Sequence, residues 1–181
     1  VAYSDKIWVI SRARLPWLLL GLIGGIASAK VISINEATLR INPEMAFFIP
    51  LIAAMGGNAG VQASAIVVQG LASKTLDSGS LMAKIMKEFM VAFLNGALCA
   101  LALLGYALIF HDTLQLALTI SISLLTVIII ASTFGITVPL ILYKMDVDPA
   151  LATGPFITTT NDLIGLGVYF IIGRILYSFP F

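Results

Sequence analysis

Apolar residues run along this chain in long blocks instead of alternating with polar ones. Five blocks, at about residues 15–34, 45–71, 85–110, 114–143 and 149–177, each reach the ~20 residues that cross ~30 Å of hydrocarbon as a helix. Several are longer, which predicts tilt or an overhang into water. Polar and turn-forming residues gather between the blocks. SKTLDSGS follows the second, and the short HDT after the third predicts a tight hairpin. In KMDVDP, Asp148 before Pro149 reads as an N-cap with proline at the first helical position. The pattern predicts an all-α membrane protein with five transmembrane helices per chain. No internal repeat is visible, and five spans do not divide into two equal inverted halves. A small bundle leaves little room for a path within one chain. A homodimer with a pore on the two-fold axis is the easier geometry.

Composition strengthens this picture. The chain has 181 residues, 60% of them hydrophobic and 10% charged, with mean hydropathy +1.06. A soluble domain carries roughly 25% charged residues. Lys6, Arg12, Arg14, Lys74, Lys84, Lys87 and Lys144 fall on one side of the predicted spans. Arg40 and Arg174 fall on the other, with Lys30 near enough to snorkel there. The asymmetry predicts a cytoplasmic N-terminus and, with five spans, the C-terminus outside; the expected location of this multi-pass chain is the cell (inner) membrane. The first apolar run starts after Arg14 and has the length of a span, so it does not read as a signal peptide. A net charge of +1 with no basic run gives no support for nucleic-acid binding. Cys99, the single cysteine, cannot form an intrachain disulfide. H-E-x-x-H and G-x-S-x-G are absent, and no enzyme is expected.

The candidate chemistry starts at Asp162, read as the acidic residue clearly inside a span. A charge at mid-bilayer costs about 2.5–3.5 kcal/mol on insertion scales, and such residues tend to face a bundle interior or a water-filled path. An intramembrane aspartyl protease would need two acids at that depth, and this reading supplies one. Thr158 and Gly154 lie one and two turns upstream on the same helix face. Carboxylate, hydroxyl and backbone oxygen together suit a hard cation. Two Asp162 side chains at a dimer axis would repel, and a divalent ion between them removes the repulsion. Two carboxylates do not fill the octahedral shell of Mg²⁺, so the ion would keep its waters. The plainer alternative is a protonated or hydrogen-bonded Asp that packs the bundle. In the second span, Gly56 and Gly60 permit close helix approach. Gly57, Asn58 and Gln62 are pore-lining candidates, with helix–helix contact an equal alternative for the amides. Asp146 and Asp148 open the fifth span, either as capping residues or as a second cation site. Glu36, Glu44 and His111 read as residues of solvated outer loops.

Two runs carry a specific resemblance: FIPLIAAMGGNAGVQASAIVVQGLA, and later VPLILYKMDVDPALATGPFITTTNDLIGLGVYF. Together they strongly resemble the membrane domain of the MgtE magnesium channels, over nearly the whole chain. The resemblance implies a homodimer whose ion path is lined mainly by the second and fifth helices. It places the pore carboxylate on Asp162, backbone contacts to hydrated Mg²⁺ on Gly154 and Thr158, and the inner-mouth acid on Asp148. Some members carry Asn where this chain has Gly154; a carbonyl contact survives that change. Family members usually carry a soluble N-terminal domain and paired CBS domains, which sense cytosolic Mg²⁺ and close the pore. Residues 1–13 then read as the end of the cytosolic connecting helix and residues 14–181 as the pore domain. A chain of this extent is expected to conduct Mg²⁺ without normal Mg²⁺-dependent closure. A coupled divalent-cation carrier and a non-conducting scaffold subunit, each set in membrane lipid, are the alternatives.

Overall fold

A computed structural model describes residues 7–73, 81–110, 113–149 and 154–179. Six helices form the described residues: α1 (Ile7–Ile34), α2 (Glu36–Ile41), α3 (Met45–Ala72), α4 (Leu81–Phe110), α5 (Leu114–Lys144) and α6 (Pro155–Leu176). All but α2 are long and apolar enough to cross a membrane. No break marks residue 14, because α1 runs without interruption from Ile7. The connection between α1 and α3 contains the short helix α2, whose surface carries an exposed Arg40–Glu36 pair at 2.8 Å.

α5 is the centre of the bundle. It packs against α3, α4 and α6, while α1 leans on α6 at the periphery. Ile120, Leu124, Val127 and Ile128 of α5 are buried with Met45, Phe48 and Ile52 of α3 and with Tyr169 and Phe170 of α6. α4 and α5 form the hairpin expected from the short connection between them. The apolar residues left over point outward. Leu18, Ile23 and Ile26 on α1, and Leu94, Leu98 and Leu101 on α4, are exposed, as lipid contact requires.

α6 begins later than the sequence pattern suggests. Asp148 does not cap it: the N-cap is Gly154, with Pro155 at the helix start. Gly154 has φ 78° and ψ −132°, a combination open essentially to glycine alone, and it turns the chain into the helix. Asp146 instead ends α5. It takes the left-handed conformation (φ 55°) that aspartate tolerates better than most residues. Val147 N–H donates to Leu142 O at 2.9 Å and Asp146 N–H to Tyr143 O at 3.2 Å, which completes a Schellman ending.

The opposite end of α6 is tied down by hydrogen bonds. Tyr169 Oη donates to Met45 O at 2.9 Å, and Arg174 Nη2 donates to Asn35 Oδ1 at 2.6 Å. Tyr177 Oη donates to Glu44 Oε1 at 3.1 Å. Burial, and then the Glu44 charge, push the Tyr177 hydroxyl above its ordinary pKa. Glu44 therefore fastens α6 to α3 instead of standing free in a loop. His111 lies outside the described residues.

Candidate functional site

The α6 face holds together as a unit. Thr158 sends its backbone N–H (3.1 Å) and its hydroxyl (2.7 Å) to the carbonyl of Gly154. The Thr158 oxygen keeps lone pairs that can accept from water. Asp162, one turn further, is partly buried. No hydrogen bond or ion pair holds its carboxylate among the described residues. Gly57 of α3 stands opposite. A Cβ there would lie 2.9 Å from Thr158 Cγ2 and 3.3 Å from Asp162 Oδ1. The missing side chain is what lets the α3 backbone approach the carboxylate.

Behind this face the bundle is closed. A Cβ on Gly60 would collide with Asn161 Nδ2, and one on Gly135 with the backbone carbonyl of Gly60. A Cβ on Gly56 would lie 2.8 Å from Val127 Cγ1. The close approach expected of Gly56 and Gly60 thus joins α3 to both α5 and α6. At its heart sits Asn161, 1% exposed, with neither amide atom hydrogen-bonded. Sequence reasoning passed over Asn161, although it neighbours Asp162. The signal was available, since an amide in a span must find cover and the G-x-x-x-G pair offers it.

Asn58 and Gln62 occupy a different face of α3 from Gly57. They line a cleft of about 260 Å³ against α4 and α5, with Glu88, Asn95, Cys99 and Ser132. Glu88 is a second acid within an apolar helix, in the second turn of α4. Its numbering inside the third apolar block was the available signal. Lys84 and Lys87 beside it made that end read as a cytoplasmic flank. Asp146 and Asp148 are exposed just past the end of α5, and residues 150–153 between them and Gly154 lie outside the described residues.

Residues 49–172 match the MgtE family, described as a divalent cation transporter. The chain belongs to the MgtE family. It is 35% identical over 170 residues to the magnesium transporter MgtE of Bacillus subtilis, covering 94% of this chain and 38% of the relative. It is 33% identical over 166 residues to that of Enterococcus faecalis, covering 92% and 37%. It is 29% identical over 165 residues to that of Thermus thermophilus, covering 91% and 36%. The chain thus spans little more than a third of the length of these curated relatives. MgtE proteins are transporters and not enzymes, and five apolar helices make this chain an integral membrane protein.

Proposed function

We propose that this chain is the membrane part of a Mg²⁺ channel, in which two copies enclose a pore on a two-fold axis. Hydrated Mg²⁺ passes along the α3 and α6 faces toward the cytoplasm, on the side of the N-terminus. Asp162 is the charge that attracts it. Thr158 and the Gly154 carbonyl contact its water shell, and Asp148 stands at the inner mouth. One observation carries this reading: Asp162 is partly exposed beside Gly57, on a seam whose inner side is sealed by contacts between helix backbones. A path through the middle of one chain has no room between α3, α5 and α6. A path along the Asp162 seam needs a second wall, and a second copy supplies one together with a second carboxylate. Two carboxylates match the charge of one divalent ion. The strongly hydrated Mg²⁺ keeps several of its waters and asks for few direct ligands. The relatives named as magnesium transporters support the choice of ion. The regulatory cytosolic domains belong to the same proposal, as partners of the pore in a full-length protein.

The test is Mg²⁺ uptake into vesicles holding the purified chain, with wild type set against Asp162→Asn. Asn keeps the shape and removes the charge. Flux driven by gradient and voltage alone, and lost by tenfold or more in the variant, is the expected result. Flux strictly coupled to Na⁺ or H⁺ would replace the channel by a carrier. Unchanged flux in Asp162→Asn would remove the residue from the pathway.

A further inference from the structure

α1 is the least enclosed of the spans, and α6 is the long helix it packs against. Asn35, just past the end of α1, meets Arg174 of α6, and further back Gly24 meets Thr159. The two helices therefore run side by side in the same direction. From Gly24 back to Arg14 is about 15 Å of helix, whereas α6 begins only about 6 Å before Thr159. The first turns of α1 thus run past the start of α6. A groove of about 280 Å³ lies along them, lined among the described residues by Ile7, Ile10, Ser11, Arg14, Leu15 and Leu18. Arg14 is exposed and makes no ion pair or hydrogen bond among those residues. α1 holds no aspartate or glutamate that could neutralise it. Arg14 also stands about 30 Å of helix from Ile34, which is the thickness of the hydrocarbon core. Its guanidinium is therefore at the level of the lipid phosphates, and Leu15 and Leu18 lie on the acyl-chain side of it.

We propose that this groove binds an anionic phospholipid, with its phosphate on Arg14 and Ser11 and an acyl chain along Leu15 and Leu18. A guanidinium presents its N–H donors in a planar fork that suits phosphate oxygens. The Ser11 hydroxyl, one turn before Arg14, can donate to the same group. Charge selects the lipid. Arg14 has no counter-charge on its own helix, and an anionic headgroup supplies one. A choline headgroup would instead bring a second cation beside the guanidinium. Arg12 is the internal comparison. It lies about 200° around the helix from Arg14 and does not line the groove. General attraction of a basic helix end to an anionic surface would use both arginines alike, whereas the groove uses one.

The two tryptophans of the chain, Trp8 and Trp17, lie on α1 to either side of Arg14, and both are exposed. Their fluorescence therefore reads the lipid at this place. The experiment is tryptophan quenching in vesicles of phosphatidylcholine and phosphatidylglycerol holding the purified chain, with a dibrominated acyl chain on one lipid or the other. Wild type is expected to favour phosphatidylglycerol about fivefold at equal mole fraction. Arg14→Gln should bring the two lipids close to parity. Arg12→Gln, which removes the same charge, should keep most of the preference. The proposal is overturned if wild type shows no preference for phosphatidylglycerol, or if Arg14→Gln keeps the wild-type value. It is overturned equally if Arg12→Gln loses as much as Arg14→Gln, because the attraction is then a diffuse one to surface charge. Should Arg14→Gln fail to reconstitute, Ser11→Ala decides, and an unchanged preference there overturns the proposal. Quenching does not depend on ion flux, so this site and the channel reading fail separately.

Discussion

Gly57→Ala adds one methyl group where α3 meets the Asp162 face, and the structure sets the size of the effect. The new carbon would stand 2.9 Å from Thr158 Cγ2. Carbon atoms rest about 3.5–4.0 Å apart, so the overlap is roughly 0.6–1.1 Å. Either α6 moves away or Thr158 changes rotamer. A changed rotamer gives up the 2.7 Å bond from the Thr158 hydroxyl to Gly154 O, worth about 0.5–1.5 kcal/mol. Overpacking of this kind costs about 1–3 kcal/mol. Alanine returns about 1 kcal/mol of helix propensity. The net loss of stability is therefore about 0–2 kcal/mol, which the fold should survive. Transport should suffer more, because the methyl also stands 3.3 Å from Asp162 Oδ1, where a water of the ion would sit. Mg²⁺ flux into vesicles is expected to fall about tenfold, the equivalent of ~1.4 kcal/mol. Gly21→Ala is the matched control, since nothing lies within 4 Å of a Cβ at Gly21. That change should leave flux unaltered and stability equal or slightly higher. If Gly57→Ala behaves like Gly21→Ala in both flux and thermal unfolding, the tight α3–α6 contact at Asp162 is wrong.

Gly135→Ala drives a methyl into the backbone carbonyl of Gly60, which no rotamer change can relieve; a loss of about 1–3 kcal/mol is expected, read as a lower Tm. Gly154→Ala places a side chain at φ 78° and ψ −132°, with an expected cost of about 1–3 kcal/mol and a frayed start to α6. Circular dichroism with thermal unfolding measures that variant, and an unchanged Tm would contradict the cap described here. Tyr177 has its pKa raised in the folded state, so the folded chain stays protonated at pH values where the unfolded chain ionises. Its contribution is full below the unfolded value of about 10 and declines as pH rises beyond it. Tyr177→Phe should therefore lower Tm at pH 7 but flatten the further loss of stability above pH 10.

Much of the fold was legible because a bilayer imposes a length on every apolar block. Met45, Phe110 and Leu114 mark helix ends both in the sequence pattern and in the structure. The later start of α6 was harder to see. Asp148-Pro149 and Gly154-Pro155 offer the same kind of signal, and only the backbone conformation of Gly154 shows which pair opens the helix. On the Asp162 face, Gly154, Thr158 and Asp162 share a face because of helix periodicity alone. The facing of α3 was less readable. Gly57 and Asn58 are neighbours in sequence, yet one meets Asp162 and the other opens into the Glu88 cleft.

The sequence by itself determined that the chain spans a membrane as five helices, which family it belongs to, and which α6 residues stand in line. These follow from composition, from local periodicity and from motifs continuous in the chain. Only the tertiary structure decided that Asn161, not Asn58, is the amide sealed against Gly60. It alone brought Glu88 to the same cleft as Asn58 and Asn95, and closed the bundle behind Asp162. The physical reason is that helix periodicity states which residues share a face but not what that face meets. Rotation about each helix axis is set by which side chains are small enough to let two backbones touch, and that is a property of pairs of helices.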